Sequence, residues 1–163
     1  MTDPRLDEDG SWCRALARLS GEVVELGCHD GRNFELYSPA VTGVHAFEPD
    51  PSPRHRARAA AAWAATPVWV RDDPVEALPL DTASIDGAVL HLLLSRRPEP
   101  TAVVAELARV VRVGGTLVFA EPAGPGNGDP LAIVRCGGFT VDTWRAQDPA
   151  GLRVLGSATR ATR

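Results

Sequence analysis

Five residues have the types and spacing to do chemistry at one place: Glu25, Gly27, Gly31, Glu48 and His91. The first three lie in Val23-Val24-Glu25-Leu26-Gly27-Cys28-His29-Asp30-Gly31-Arg32-Asn33-Phe34, an apolar run followed by a glycine-punctuated turn. Glycine has no Cβ, so it takes tight backbone angles and lets a ligand approach the main chain. A helix starting near Arg32 would present its first N–H groups to a polar ligand. Glu48 lies 21 residues past Gly27, after the apolar run 41–47 and before Pro49-Asp50-Pro51. A carboxylate there can accept hydrogen bonds from two ribose hydroxyls; the plainer alternative is an exposed turn glutamate. His91 follows the apolar run 84–90, and an imidazole at the end of such a strand suits a general base. The competing role for His91 is a half-buried ring bonded to a neighbouring loop. His29 is a second polar contact near the turn, His45 fills a strand, and His55 sits among Arg54, Arg56 and Arg58 on a solvated helix face.

The elements that must position these residues alternate. Residues 1–10 read as an acidic, flexible tail, and 11–163 as one domain. Ser11 is placed to cap a short helix bearing Trp12, Ala15, Leu16 and Leu19. A strand follows Gly21, then a helix over 32–37 that Pro39 stops, and a strand over 41–47. The spacing predicts a helix over 54–65, strands over 68–70 and 84–90, a helix over 101–111, a Gly114-Gly115 turn and a strand over 116–120. Past a turn-rich loop at 123–130 come a brief helix and two closing strands, 136–144 and 152–158, able to pair antiparallel at one edge. The alternation predicts a doubly wound α/β sheet of about seven strands, mostly parallel, with ligands at its C-terminal edge. Trp63, Trp69 and Trp144 read as core or interface residues.

Composition narrows the function classes. The net charge is -4, the sequence pI is about 5.5 and every basic residue is arginine, a balance that argues against nucleic acid as a partner. No run is apolar and long enough for a membrane span, and no signal-peptide pattern opens the chain, so a cytoplasmic location is expected. Cys13, Cys28 and Cys136 are too widely spaced for a zinc site or a disulfide framework, and no metal is expected.

Four stretches in order resemble the class I S-adenosylmethionine-dependent methyltransferases, especially the small-molecule enzymes. Glu25-Leu26-Gly27-Cys28-His29-Asp30-Gly31 resembles the family's acidic-x-Gly-x-Gly-x-Gly motif, and Ala46-Phe47-Glu48-Pro49-Asp50-Pro51 its second acidic position. Asp72-Asp73-Pro74-Val75-Glu76-Ala77-Leu78-Pro79-Leu80 resembles the stretch near the adenine, and Glu106 to Val118 the helix, Gly-Gly turn and fifth strand. The resemblance implies a Rossmann-like fold and S-adenosylmethionine as cofactor, with S-adenosylhomocysteine as product. It assigns cofactor contacts to Glu25, Gly27, Cys28, His29, Gly31, Asn33, Glu48, Pro49, Asp72, Asp73, Pro74 and His91. Among them Glu48 meets the ribose and Asp73 the adenine amino group. His91 is also the candidate base, and Leu78 flanks the adenine or packs in the core.

Two departures qualify the resemblance. His29 replaces the motif's middle glycine, and the short segments flanking the sheet leave little lid over the site. Without a lid, water is harder to exclude and a small acceptor harder to clamp. The reading is therefore a methyltransferase acting on a small-molecule, natural-product-like acceptor, with a homodimer or a partner subunit closing the site. The alternative is a degenerate, cofactor-binding partner protein. A nicotinamide oxidoreductase fits less well, since Gly27-Cys28-His29-Asp30-Gly31 lacks G-x-G-x-x-G spacing.

Overall fold

The computed structural model describes residues 10–146 and 153–162. Nearly all of the expected tail therefore lies outside the described residues, as does Leu152 of the last expected strand. A seven-stranded sheet runs in the order β3-β2-β1-β4-β5-β7-β6. Its strands are β1 Gly21–Leu26, β2 Val41–Phe47, β3 Val68–Arg71, β4 Ile85–His91, β5 Val111–Pro122, β6 Phe139–Ala146 and β7 Arg153–Arg160. The pairs from β3 to β5 are parallel, while β7 pairs antiparallel with both β5 and β6. The helices are α1 Ser11–Leu16, α2 Pro51–Ala61, α3 Pro100–Val110 and α4 Pro130–Cys136.

Central strands are apolar on both faces, as expected where both are covered. One face gathers Leu26, Phe47, Leu90, Leu117 and Phe119 under α3 and α4. The other gathers Val23, Val44, Val89 and Val118 with Trp12, Leu16, Phe34, Tyr37 and Ala57. Side chains alternate along each strand, so Glu25 and His91 both face the second layer.

The α3 helix is the most regular crossover. Pro100 opens it, and Val103, Val104, Leu107, Ala108 and Val110 bury one stripe. From it, Arg109 reaches the Leu78 and Leu80 carbonyls at 3.0 and 2.9 Å, and Glu106 accepts the Leu78 N–H at 2.8 Å. This clamp seats Leu78, only 4% exposed, in the core. The expected Gly114-Gly115 turn is a bulge inside β5. Between the Ile85–Val111 and Gly87–Thr116 pairs the register shifts, and a Cβ on Gly115 would meet the Asp86 carbonyl at 2.7 Å.

Three expectations are corrected. No helix forms over 32–37; the stretch makes successive turns such as Phe34 N–H to Gly31 O at 3.1 Å. Asn33 and Tyr37 are instead drawn into side-chain bonds with the buried Glu25. Ser11 does not cap α1: the cap is Gly10 with φ 66°, and the Ser11 hydroxyl accepts from Arg145 at 2.6 Å. Trp63, Trp69 and Trp144 are not core residues, being 91%, 47% and 54% exposed.

Candidate functional site

The strand order reverses between β1 and β4, which opens a crevice at their C-terminal ends. Leu26 pairs with Leu90, so Gly27 and His91 leave the sheet side by side. Gly27 has φ 80°, and a Cβ there would lie 2.7 Å from the His91 carbonyl oxygen. Close packing of the two strand exits therefore demands glycine. Gly31, at φ 85°, is crowded by the Phe34 ring and Ala60.

A cavity of about 180 Å³ lies over the β1 turn, lined by Cys28, His29, Asp30, Arg32, Pro53, Arg56, His91 and Leu92. Two of its lining residues, His29 at φ 50° and Leu92 at φ 51°, hold left-handed backbone angles without being glycine. Such strain persists only where the surroundings enforce it, and it concentrates at functional sites. The His29 Nε2 atom is buried without a hydrogen-bond partner among the described residues. Burial lowers the His29 pKa, which keeps the ring neutral.

Glu48, at the end of β2, is 2% exposed. One carboxylate oxygen accepts the His29 N–H at 2.9 Å and the other the Asp50 N–H at 3.0 Å. Arg54 holds the same turn by donating to the Glu48 and Pro49 carbonyls, both at 2.9 Å. The arginines of α2 are thus not merely a solvated face: Arg54 braces this turn and Arg56 reaches the cavity.

Glu25 lies deeper. Its carboxylate accepts from Asn33 Nδ2 and from the Tyr37 hydroxyl, each at 2.7 Å. Burial pushes its pKa up to about 7. Asn33 Oδ1 in turn accepts the Trp12 indole N–H at 2.8 Å. The Trp12 ring stacks on His91 at 5.1 Å, and His29 meets His91 edge-on at 5.7 Å. Burial pushes the Cys28 thiol well up, away from a nucleophilic thiolate.

The structure thus gathers Gly27, Cys28, His29, Gly31, Glu48 and His91 around one crevice, with Glu25 and Asn33 enclosed behind the turn. Asp72, Asp73 and Pro74 follow β3 beyond β2; Asp72 is exposed and 3.8 Å from Arg54, and Asp73 is half-buried. None of these three lines the cavity. Sequence reasoning missed Trp12, Arg32, Pro53 and Arg56 as site residues. For Trp12 one signal existed, since a buried indole N–H needs an acceptor and Asn33 could serve.

A family model described as "Methyltransferase domain" matches residues 24–119. A phosphatidylethanolamine N-methyltransferase of Cereibacter sphaeroides is 34% identical over 111 residues, covering 64% of this chain and 54% of that protein. A thiol S-methyltransferase of Homo sapiens is 32% identical over 126 residues, covering 70% of this chain and 50% of that protein. The chain spans about half the length of these curated relatives. Among solved structures, the cyclase SpnF superposes with a TM-score of 0.77 at 15% identity, covering 96% of this chain and 81% of its own. At that identity the likeness concerns the fold.

Proposed function

Since the chain belongs to the methyltransferase domain family, whose cofactor is S-adenosylmethionine, we propose that it transfers a methyl group to a small acceptor at the β1–β4 crevice. The observation that carries this reading is Glu48. A carboxylate has about four acceptor sites. Backbone N–H groups fill one on each oxygen, which fixes its direction and leaves sites for two ribose hydroxyls. These residues fit the cofactor, on the condition that His29 yields, because Glu48 is only 2% exposed beneath its turn.

In this reading Glu48 and Pro49 hold the ribose end, and Asp73, flanked by Asp72 and Pro74, meets the adenine. Gly27, Cys28, His29 and Gly31 form the turn beneath, which Glu25 and Asn33 shape from behind. When bound, the cofactor supplies a sulfonium methyl for in-line displacement, so orientation of the acceptor contributes much of the rate. His91 removes the proton of an oxygen acceptor; a thiolate or free amine needs no such step. The relatives' names include an amine-bearing lipid and thiols as acceptors, and we extend from them only the class of small nucleophile. Cys28 and Cys136 are free thiols, and no helix among the described residues is long and apolar enough to cross a membrane. On this proposal the enzyme is cytoplasmic, with a second copy or a partner subunit closing the site.

Calorimetric titration with S-adenosylmethionine and S-adenosylhomocysteine tests this. Binding weakened about 10-fold or more by Glu48→Ala supports it, from the roughly 1.5–3 kcal/mol of a charged hydrogen bond. Absence of binding to folded protein overturns it and favours a second reading, a non-catalytic partner. The burial of Glu48 is the observation behind that alternative, and SpnF shows the fold named for a different reaction. Binding without turnover on any acceptor also favours it.

A further inference from the structure

We infer that Glu25, Asn33 and Trp12 form a positioning relay that sets the His91 ring, in place of the packing a crossover helix would supply. This deepens the proposed function, on which the role of His91 rests.

The buried β1 carboxylate anchors the relay. Its Oε1 takes one Asn33 amide hydrogen at 2.7 Å, Asn33 Oδ1 takes the Trp12 Nε1–H at 2.8 Å, and the Trp12 ring lies 5.1 Å from His91 at 28° to it. Each link is directional. The amide of Asn33 donates on one side and accepts on the other, so it must stand edge-on between carboxylate and indole. All three residues are buried, at 0%, 3% and 3% exposure, and water does not compete. The path crosses three separate pieces of chain, β1, the helix-less turn and α1, and ends on a residue at the rim of β4. Tyr37 is a side branch: its hydroxyl reaches Glu25 Oε2 at 2.7 Å, and no described bond carries it onward to Trp12.

The branch allows a test that separates positioning from plain stability. Above pH 8, with Glu25 ionised, the His91 ring protons are followed by NMR in the wild type, Asn33→Ala and Tyr37→Phe. Stacking under the Trp12 indole displaces these protons upfield. In Asn33→Ala the displacement is lost and the resonance broadens, although Trp12 and His91 are both retained. Tyr37→Phe removes a hydrogen bond from the same carboxylate, lowers Tm comparably and leaves the His91 resonance in place. Should Asn33→Ala not fold, Glu25→Gln is read in its stead, with a smaller displacement in the same direction. An unmoved His91 in the folded relay variant, or an equal movement in Tyr37→Phe, overturns the relay. The measurement uses neither cofactor nor acceptor, so it can fail while cofactor binding succeeds, and the reverse.

Discussion

Two crossovers on opposite faces of the sheet do the same topological job by different physics. Between β4 and β5, α3 buries an apolar stripe of five side chains and runs into β5 at Val111 without a loop. Between β1 and β2 there is no helix, and the connection is held by a buried carboxylate, an amide, a phenol and an indole. Apolar packing is non-directional and tolerates small shifts, whereas a hydrogen-bonded chain specifies angles and fails when one member is wrong. The functional crevice lies beside the second kind of connection. Positional accuracy is thus concentrated at the candidate crevice, and bulk stability on the other face.

The comparison can be broken by mutation. Leu107→Ala in α3 should cost about 2–5 kcal/mol in chemical denaturation, while cofactor affinity of the folded protein stays unchanged. A change in affinity would show that the two faces are coupled. Two buried carboxylates, Glu25 on the polar side and Glu121 on the α3 face, where it accepts the Leu93 and Leu94 N–H groups, predict a pH signature. Glu25 and Glu121 are both raised from 4.5 to about 7 by burial, so the native state holds these protons more tightly than the unfolded chain. The stability they contribute is present below pH about 4.5 and is lost as pH rises through 7, on the order of 3 kcal/mol for each group. Glu25→Gln should remove roughly half of that slope in denaturation curves between pH 5 and 8; an unchanged slope would assign it to Glu121 alone.

A smaller effect tests the turn. His29→Gly relieves the left-handed backbone and uncovers Glu48, and should tighten cofactor binding about 10-fold, or ~1.4 kcal/mol, by calorimetry. Weaker binding would make the imidazole a contact and not an obstruction. Smallest of all, Trp63→Ser at the end of α2 should change monomer stability by less than about 0.5 kcal/mol, since the side chain is 91% exposed. A larger loss at high protein concentration alone would show that Trp63 is covered in an oligomer.

The same contrast explains what was legible in the sequence. β2 is found at its expected bounds, and α3 is within one residue, because apolar periodicity and prolines mark both. β5 begins five residues earlier than expected, since Gly114-Gly115 bulges within the strand instead of ending a turn before it. The helix over 32–37 was illegible because its absence depends on Glu25, whose burial no local pattern reveals. In the site, the Gly27–Gly31 turn and Glu48 stand at the strand ends where their spacing puts them. The Trp12–His91 stack joins residues far apart in sequence, and single-chain spacing carries no record of such contacts. Likewise, three arginines on α2 look alike in the sequence, yet Arg54 binds two carbonyls and His55 beside it stays in solvent.

The insertion of β7 between β5 and β6 has a consequence for how the protein is made. Among the described residues β6 has β7 as its sole sheet neighbour, and β7 follows it in the chain. During translation, at roughly 5–20 residues per second, β6 leaves the ribosome before β7, the strand it joins, exists. Until then the free edge of β5 and the unpaired β6 are both open to pairing with other nascent chains. Exposed Arg145 and Trp144, with Asp142, lie along β6, so charge discourages such contacts during the wait. The sheet is completed by a late strand sliding between two earlier ones, and that insertion sets the moment at which the whole domain can become cooperative.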